Sequence, residues 1–530
     1  MNQLGPWVAG FIAIVAWRYF RNREGAASAG RVAAWLEARV VRVCATPAPF
    51  YVFTAVWTLL LGAVAIRRYF AYEGNGDLAI FDQAFWNTLH GSFVRSSLIP
   101  QATGEVSIFA DHFDPLQLVL VPLYFAFPSP LVLLVAQAVA LALGALPLYW
   151  IARGRFPGSP VLYTTFPVLY LLYLPLRGAN RYDYHPSALA PVLFLLALYF
   201  MDRSRWAWMV VFLTMAGLLK ENLPIAGVMV GLFLLLVERR RLLGAALVAA
   251  FGFWFYAGFA WIVPSFNTQG YLHFEDYILL GENPSELLLA PFQYPLDVVE
   301  VLFTGAERKL SYLVYVLAPV AFLPLLSPTR FLLGLPFLAQ NLLSAAPHQT
   351  SLQTHHAAEL APFVFYAAVG GAANLLRSLE HTHEASRRWD PVQVRRALAG
   401  CLLAGSLLFH GLPEAFYLRL YARTPHHERL DAAIRMIPAD ASVSTWTKIL
   451  PHVSHRRALY RFPSLGFEHA PKAEFVLIDH TLLPRTDAAE VNELLAELPD
   501  KGYEKILDED SVVLYGQAKP RGLDGRESSD

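Results

Sequence analysis

Residues Gly76–Asp114 read GDLAIFDQAFWNTLHGSFVRSSLIPQATGEVSIFADHFD, and this stretch decides how the chain is organised. It lies between two strongly hydrophobic segments, yet it contains Asp77, Asp82, Asp111, His112 and Asp114. Acids and a histidine beside a membrane are costly unless they are solvated or used. We therefore interpret the stretch as an extracytoplasmic active-site loop that the other helices support.

The composition is that of a membrane protein. The chain has 530 residues, of which 55% are hydrophobic and 16% are charged, and its mean hydropathy is +0.39. Long uncharged apolar stretches recur, which favours a polytopic helical membrane protein. The net charge of zero gives no indication of a nucleic-acid partner. Cys44 flanks a basic loop and Cys401 lies in an apolar run, so the sequence predicts neither a disulfide framework nor a thiolate metal site.

The distribution of arginines predicts the topology. Leu4–Phe20 lacks a basic leader and a cleavage site, so we interpret it as a first span that is followed by an arginine-rich cytoplasmic loop. Phe50–Phe70 then crosses outward, and Pro115–Phe127 is too short to span and stays on the external side. The further expected spans are 131–151, 160–176, 187–200, 206–219, 223–237, 242–264, 310–326, 330–345, 358–376 and 397–412, so that basic connections between them fall inside.

The predicted fold is mainly α: a transmembrane helical bundle of about twelve spans over residues 1–412, with the external loop at 71–114. A small soluble α/β domain follows at 413–517, outside the cell membrane. Its expected strands are IPADASVSTW, RALYRF, AEFVLIDH and DSVVLY, and its expected helices are Thr424–Met436 and Ala488–Leu498. Residues 518–530 are polar and predicted to be disordered.

Within the external loop, residues 77–90 have helical spacing and indicate an interfacial helix. Asp77 and Asp82 are five positions apart, which places them on different faces. Asp77 is either a helix cap or a general base for an incoming nucleophile, and we favour the base. Asp82 is either a surface charge or a residue that positions the acceptor.

Three further polar segments are candidates for binding. Asp111-His112-Phe113-Asp114 is either a turn or a site for a divalent cation, with no closed zinc spacing. Arg177–Pro186 forms an expected external hairpin whose Arg177 and Arg181 suit a phosphate, and whose Asp183 and His185 extend the acidic and histidine cluster. The alternative for this hairpin is positive charge at lipid headgroups.

Lys220-Glu221-Asn222 interrupts an apolar run, and ionisable groups there predict a function. Lys220 is able to neutralise a lipid phosphate, while a self-paired Lys–Glu turn is the alternative. His348, His355 and His356, with Glu359, are interpreted mainly as polar loop residues, a metal or diphosphate role being the alternative. His452, His455, Arg456 and Arg457 are expected to form a solvated basic patch.

Several of these segments together resemble a prokaryotic family of predicted membrane proteins catalogued as a domain of unknown function. The resemblance extends to about residue 515 and rests on GDLAIFDQAFWNTLHG, DHFDPLQLVLVPLY, SPLVLLVAQAVALALGALPLYWIAR, GANRYDYHP and LLKEN in this order. That family is in turn similar, more weakly, to the GT-C class of membrane glycosyltransferases, such as protein O-mannosyltransferases and lipid A aminoarabinose transferases.

The GT-C resemblance implies roles for individual residues. Asp77 is similar to the acid on the juxtamembrane helix of the first external loop, and His112-Phe113-Asp114-Pro115 and Asp183-Tyr184-His185-Pro186 are similar to later acid-and-proline elements. The Lys220-Glu221 turn resembles a lysine-containing turn of that class. The chain departs from the class where Leu78 replaces the second acid of a pair and where Asp-Pro replaces Lys-Pro.

The resulting hypothesis is a membrane glycosyltransferase that uses a polyprenyl-phosphate-linked sugar and a glycan, lipid or protein acceptor. Asp77 is the predicted base; Arg177, Arg181, Lys220 and Glu221 bind the phosphate; and Asp82, Asp111, His112, Asp183 and His185 position the acceptor or a divalent cation. We expect folding to gather these groups in one external pocket. The alternatives are a transporter or lipid-handling protein, and a scaffold whose soluble domain binds partners.

Overall fold

The computed structural model describes residues 38–99, 106–267, 271–277, 280–281, 284–381, 390–409, 411, 413–467 and 472–518. The expected first span at 4–20 and the expected tail at 519–530 lie outside these residues. The described chain divides into two compact units. Unit 1 holds residues up to 65, 112–119 and 134–418, and unit 2 holds 66–111, 120–133 and the chain from 419 onward.

The protein is mainly helical. Its α-helices are Ala48–Phe70, Asp77–Leu89, Val121–Ala126, Pro130–Leu143, Ala145–Arg155, Pro160–Leu172, Leu174–Arg181, Ala190–Asp202, Trp206–Gly217, Ile225–Leu236, Arg241–Ala257, Val263–Phe266, Pro284–Gln293, Pro295–Phe303, Ala306–Leu317, Pro328–Phe331, Leu335–Leu343, His356–His381, Pro391–Phe409, Glu414–Leu420, Pro425–Arg435 and Ala488–Ala496.

Single turns of 3-10 helix connect many of these helices. They are Ile108–Ala110, Pro115–Leu120, Pro186–Leu189, Leu272–Tyr277, Ala318–Val320, Leu323–Leu326, Leu332–Gly334, Pro347–Thr350, Leu450–His452 and His480–Leu482, and a π-helical turn at Gly258–Ile262 joins two α-helices.

In the part of the chain that the structure describes, five stretches are long and apolar enough to cross a membrane: Ala48–Phe70, Pro130–Arg155, Arg241–Phe266, His356–Glu380 and Pro391–Leu420. The fourth is 83% buried over its most apolar window, against 22–56% for the others, so it forms the centre of unit 1. The remaining apolar helices are shorter, and about twelve crossings stays a prediction.

Prolines and polar turns explain why several expected spans are shorter or divided. The span expected at 160–176 consists of two helices, Pro160–Leu172 and Leu174–Arg181, with Tyr173 in an extended conformation between them. Pro175 stands in the first turn of the second helix, where proline is tolerated but where it prevents the first helix from continuing. The segment after Asp114 consists of Pro115–Leu120 and Val121–Ala126, which together are too short for a span of about 20 residues.

The core of unit 1 is apolar and rich in aromatic rings. Phe363, on the His356–His381 helix, packs against Phe194 and Phe337 at centroid distances of 5.1 and 5.4 Å. On the same helix, a Cβ at Gly371 would lie 1.9 Å from the carbonyl oxygen of Leu323. The missing side chain of Gly371 therefore allows the Leu323–Leu326 turn to touch the helix backbone.

Unit 2 contains the helix of the Gly76–Asp114 stretch and a five-stranded sheet. The expected helix is confirmed as Asp77–Leu89, with Gly76 in the N-cap position and Asp77 in the first turn. Asp77 is therefore not the N-cap, although its carboxylate stands where the helix dipole favours a negative charge.

The strands are β1 (Arg95–Ser96), β2 (Val106–Ser107), β3 (Val443–Thr445), β4 (Leu459–Arg461), β5 (Phe475–Asp479), β6 (Tyr503–Glu509) and β7 (Val512–Gln517). The two short strands β1 and β2 form an antiparallel hairpin. The larger sheet has the order β4-β3-β5-β7-β6, with β3 parallel to β4 and β5 and with β7 antiparallel to β5 and β6.

Sequence reasoning located four of these five strands and missed β6, since the segment YEKILDE carries mostly exposed side chains. It is an edge strand that pairs only with β7, and exposed charged residues are usual on such edges.

Close packing at Gly371 predicts a stability effect. We expect Gly371→Ala to destabilise the protein by about 2 kcal/mol or more, because the new methyl group would lie 1.9 Å from the carbonyl oxygen of Leu323 and the backbone must shift. Gly400→Ala is the matched control, since a Cβ there meets no atom within 4 Å and should change stability by about 1 kcal/mol at most. Thermal unfolding of both purified variants in detergent measures the difference; equal melting temperatures would contradict the packing argument.

Candidate functional site

The Lys220-Glu221-Asn222 turn of unit 1 lies between the helices Trp206–Gly217 and Ile225–Leu236. All three side chains are buried. The backbone closes the turn through a 3.1 Å hydrogen bond from the Leu223 amide to the Lys220 carbonyl. The prediction that this triplet interrupts the apolar run is confirmed. Because the three side chains are buried, each polar group is costly unless it has a hydrogen-bonding or ionic partner.

Glu221 is the best-partnered group of the turn. Its carboxylate accepts hydrogen bonds from the amide of Phe113 at 3.0 Å and from the hydroxyl of Tyr271 at 2.8 Å, and it lies 2.9 Å from Nδ1 of His112. Although burial opposes ionisation, the neighbouring His112 and Lys220 lower the pKa of Glu221 to about 2. Glu221 is therefore an ionised anchor for the segment that carries His112.

The bond from Nδ1 to Glu221 orients the His112 ring, which also stacks on His273 at 4.6 Å between centroids. Nε2 of His112 is then the ring nitrogen able to bind a divalent cation, in the way that carboxylates orient metal-bound histidines in other proteins. A cation at this position stays a prediction.

Two more histidines stack beside the turn. The rings of His185 and His355 lie 3.8 Å apart, and His355 lies 4.0 Å from His356. Gly178 permits this arrangement, since a Cβ there would lie 1.8 Å from the carbonyl oxygen of Leu352 in the loop that carries His355. Burial lowers the pKa of His185 to about 4 and also lowers that of His355, so both rings are neutral at pH 7.

Lys220 is the cation at the centre of these groups. It is 7% exposed and interacts electrostatically with His185, His355, His356 and Glu359. Among the described residues, no carboxylate lies within 4.0 Å of its ammonium nitrogen. A buried ammonium without a close anion is costly, so this position suits an anionic ligand.

The two predicted phosphate-binding arginines are buried on a helix rather than exposed on a hairpin. Arg177 and Arg181 lie one turn apart on Leu174–Arg181, and both contact the carboxylate of Glu414, Arg177 through Nε at 2.6 Å. Arg181 also stacks over the ring of Tyr417 at 4.2 Å. One carboxylate therefore pairs with two guanidinium groups.

Sequence reasoning missed Glu414 because its partners lie more than 230 residues earlier in the chain. The available signal was a lone acid directly after an apolar segment, where an uncompensated charge is costly.

Asp183 and His185 are held by a second residue that sequence reasoning missed, Gln137. Its amide nitrogen donates to the backbone carbonyls of Ala179 and Asp183 at 3.0 and 3.3 Å, and its amide oxygen accepts from the backbone nitrogen of His185 at 2.9 Å. Gln137 is 1% exposed, so these bonds fix the backbone of residues 183–185.

In unit 2, the two aspartates of the Asp77–Leu89 helix have different environments. Asp77 is half-buried in the first turn, whereas Asp82 is fully buried. The Asp82 carboxylate accepts hydrogen bonds from Tyr124 at 2.6 Å and from Ser454 at 2.5 Å, and it lies 3.1 Å from Nε2 of His455. Asp82 is therefore saturated by protein groups rather than a surface charge.

Asp111 directly follows the Ile108–Ala110 turn, and its amide donates to the Ile108 carbonyl at 3.1 Å. Asp77, Asp82 and Asp111 belong to unit 2 and the other predicted site residues to unit 1, so one shared pocket stays a prediction.

The expected solvated basic patch in unit 2 is wrong for His452 and Arg456, while His455 is partly exposed but paired with Asp82. The ring of His452 stacks on Tyr69 and Tyr72 at 4.2 and 3.8 Å. His455 contacts Asp82, and the buried Arg456 donates to the Val453 and Ala441 carbonyls. Arg457 alone of the four is exposed. A cluster of basic residues in the sequence does not show which side chains will form ion pairs or ring stacks in the folded protein.

The Arg177–Arg181–Glu414 triad predicts a large stability effect. We expect Glu414→Gln to destabilise the protein by about 3–5 kcal/mol, because two buried guanidinium groups lose their carboxylate. Glu380→Gln is the control, since its pair with Arg395 is exposed and is worth about 0.5 kcal/mol. Denaturant unfolding followed by circular dichroism measures the free energy of unfolding of each variant. A Glu414→Gln protein as stable as the control would show that the ionic contacts of the triad do not stabilise the fold.

Comparison with solved structures gives distant similarities. ArnT from Cupriavidus metallidurans bound to undecaprenyl phosphate is 14% identical, with 88% of this chain and 99% of that chain covered and a TM-score of 0.47. The archaeal oligosaccharyltransferase AglB from Archaeoglobus fulgidus, in complex with an inhibitory peptide and a dolichol-phosphate, is 14% identical, with 88% and 75% covered and a TM-score of 0.42.

No curated protein matches the chain. A family model does match it over residues 71–514, which is most of its length and includes both units. This match and the long apolar helices identify a multi-pass membrane protein. The chain belongs to the family described as Predicted membrane protein (DUF2079).

Proposed function

We propose that the protein is an integral-membrane glycosyltransferase of the GT-C type, which takes a sugar from a polyprenyl-phosphate carrier at the extracytoplasmic face of the cell membrane. The observation that carries this proposal is Lys220, a buried ammonium group in a polar turn, with no carboxylate of the described residues at ion-pair distance.

The argument from Lys220 is electrostatic. The adjacent Glu221 is already engaged by three donors, so it is a poor direct partner for a further cation. The rings of His185 and His355 are neutral, so they present hydrogen-bonding nitrogens without adding positive charge. A phosphate group supplies the anion that Lys220 lacks. In a membrane protein, the phosphate of a lipid is directly available to such a residue.

The proposed reaction uses the residues as follows. The acceptor hydroxyl attacks the anomeric carbon of the sugar and transfers its proton to the carboxylate of Asp77. The bond between the anomeric carbon and the phosphate oxygen breaks, and its electron pair stays on the polyprenyl phosphate. The phosphate gains one negative charge in this step, which Lys220 stabilises.

The other residues have supporting roles in the proposal. Arg177 and Arg181 are the proposed guanidinium ligands of the phosphate, and Glu221 anchors the His112 segment. Asp111, His112, Asp183 and His185 position the acceptor or a divalent cation, whereas the saturated Asp82 has a structural role. The domain at 413–517 recognises an acceptor outside the membrane. The motif resemblance to GT-C enzymes, in which Asp77 and the Lys220 turn take corresponding places, supports this assignment.

Asp77 provides the first test. We expect Asp77→Asn to reduce sugar transfer by about 10²–10⁴-fold, because an amide cannot accept the proton of the acceptor. Transfer from radiolabelled polyprenyl-phosphate sugars to acceptors in isolated membranes measures the rate. Asp500→Asn, an exposed aspartate in the same unit, is the control and should retain full activity. Undiminished transfer by Asp77→Asn would eliminate the proposed base.

Lys220 provides the second test. We expect Lys220→Gln to raise the KM for the lipid-linked donor by about tenfold or more and to lower kcat, because the phosphate loses its counter-charge in both the ground state and the transition state. Lys501→Gln removes an exposed lysine and should leave both constants unchanged. An unchanged KM in Lys220→Gln would show that the phosphate of the donor does not bind at Lys220.

A further inference from the structure

A set of hydrogen-bond acceptors lies beside Lys220 and has no role in the proposed reaction. Asn222, two residues after Lys220, donates from Nδ2 to Oε1 of Gln340 at 2.8 Å and more weakly to Oε2 of Glu359 at 3.5 Å. Glu359 lies on the central helix His356–His381, one turn after His356, so the two side chains share a face. The turn and the helix therefore meet through polar side chains in an otherwise apolar core.

Several polar atoms in this group are buried without a partner. Oδ1 of Asn222, Oε1 of Glu359 and Nδ1 of both His355 and His356 have no hydrogen-bond partner among the described residues. Each of the four side chains belongs to a residue that is at least 92% buried. Buried polar atoms are normally satisfied and are costly when left unpaired, so these atoms indicate a bound ligand or ordered water.

The chemistry of the unpaired atoms restricts the ligand. The amide oxygen of Asn222 and the carboxylate oxygen of Glu359 accept hydrogen bonds, and neutral imidazole nitrogens accept or donate according to the tautomer. A phosphate group offers oxygens of the same kind as Glu359 and is repelled by that carboxylate. A molecule with several hydroxyl groups offers donors to the acceptors and acceptors to the imidazoles.

The short separation between Lys220 and Asn222 limits the size of a ligand that contacts both residues. Lys220 and Asn222 are two residues apart, so their Cα atoms are separated by at most about 7 Å. A phosphate at Lys220 and a hydroxyl-bearing ring at Asn222 and Glu359 can therefore belong to one molecule.

We propose that Asn222, Glu359 and His356 form the subsite that binds the hydroxyl groups of the donor sugar, next to the phosphate at Lys220. This inference rests on the proposed function, and it adds the residues that select the sugar. A site that hydrogen-bonds a hydroxyl discriminates strongly against ligands without it, because its own buried polar groups are then left unpaired. The subsite therefore makes a glycosylated carrier bind more tightly than the bare carrier lipid.

The experiment compares two kinds of lipid on the full-length protein in detergent. One is undecaprenyl phosphate, and the other is a panel of undecaprenyl phosphates that carry glucose, galactose, mannose, N-acetylglucosamine or arabinose. Dissociation constants are measured for the wild type and for Asn222→Ala, Glu359→Gln and Lys220→Gln. Asn374→Ala is the matched control, since this half-buried asparagine lies on the same helix as Glu359 but about four turns further on.

We expect the wild type to bind at least one glycosylated lipid tenfold or more tightly than undecaprenyl phosphate. Asn222→Ala and Glu359→Gln should each reduce this preference to threefold or less while the affinity for undecaprenyl phosphate stays within twofold. Lys220→Gln should weaken both lipids, and Asn374→Ala neither. Glu359→Gln keeps the shape of the side chain, so it tests the subsite even if Asn222→Ala does not fold, which gel filtration and thermal unfolding reveal.

Two other outcomes have separate meanings. The sugar subsite is refuted if the folded wild type binds undecaprenyl phosphate but prefers no member of the panel. It is also refuted if Asn222→Ala and Glu359→Gln both keep the preference, and ordered water then explains the unpaired atoms. If the folded wild type binds none of the lipids, the proposed function fails and the subsite fails with it.

Discussion

The constraint on which this structure depends is that charge removed from water must be compensated within the protein. Glu221 is the clearest case: a fully buried carboxylate that collects an imidazole, a backbone amide and a tyrosine hydroxyl. Two of these groups come from residues 112–113, more than 100 positions earlier. Because the cost of an unpaired carboxylate is several kcal/mol, this contact determines where that segment joins unit 1.

The same principle recurs in each unit. In unit 1, Glu414 holds two arginines from a distant helix, and in unit 2, Asp82 holds a tyrosine, a serine and a histidine. Each carboxylate joins segments that are remote in sequence. Because apolar packing is not directional, these polar contacts specify which segments pack together. Lys220 differs from them, since its charge has no such partner among the described residues. The three carboxylates therefore have structural partners, whereas Lys220 is the charge on which the proposed phosphate site rests.

How much of this was predictable depends on whether the signal was local. The apolar helices, the Asp77–Leu89 helix, the buried polar turn at 220–222 and four of the five strands of the larger sheet follow from periodicity, turn residues and apolar runs. Glu414, Gln137 and the environment of His455 did not, since their partners are chosen by tertiary packing across large separations. The edge strand at 503–509 escaped notice because its exposed faces carry charge instead of alternating apolar residues.

The sharing of Glu414 between two arginines has a consequence for biosynthesis. Arg177 and Arg181 leave the ribosome 237 and 233 residues before their carboxylate does. For most of translation, the helix that contains them carries two guanidinium groups without that counter-ion. Synthesis of the Glu414–Leu420 helix thus supplies the counter-ion of a helix made much earlier, and a nascent chain interrupted before residue 414 lacks that carboxylate.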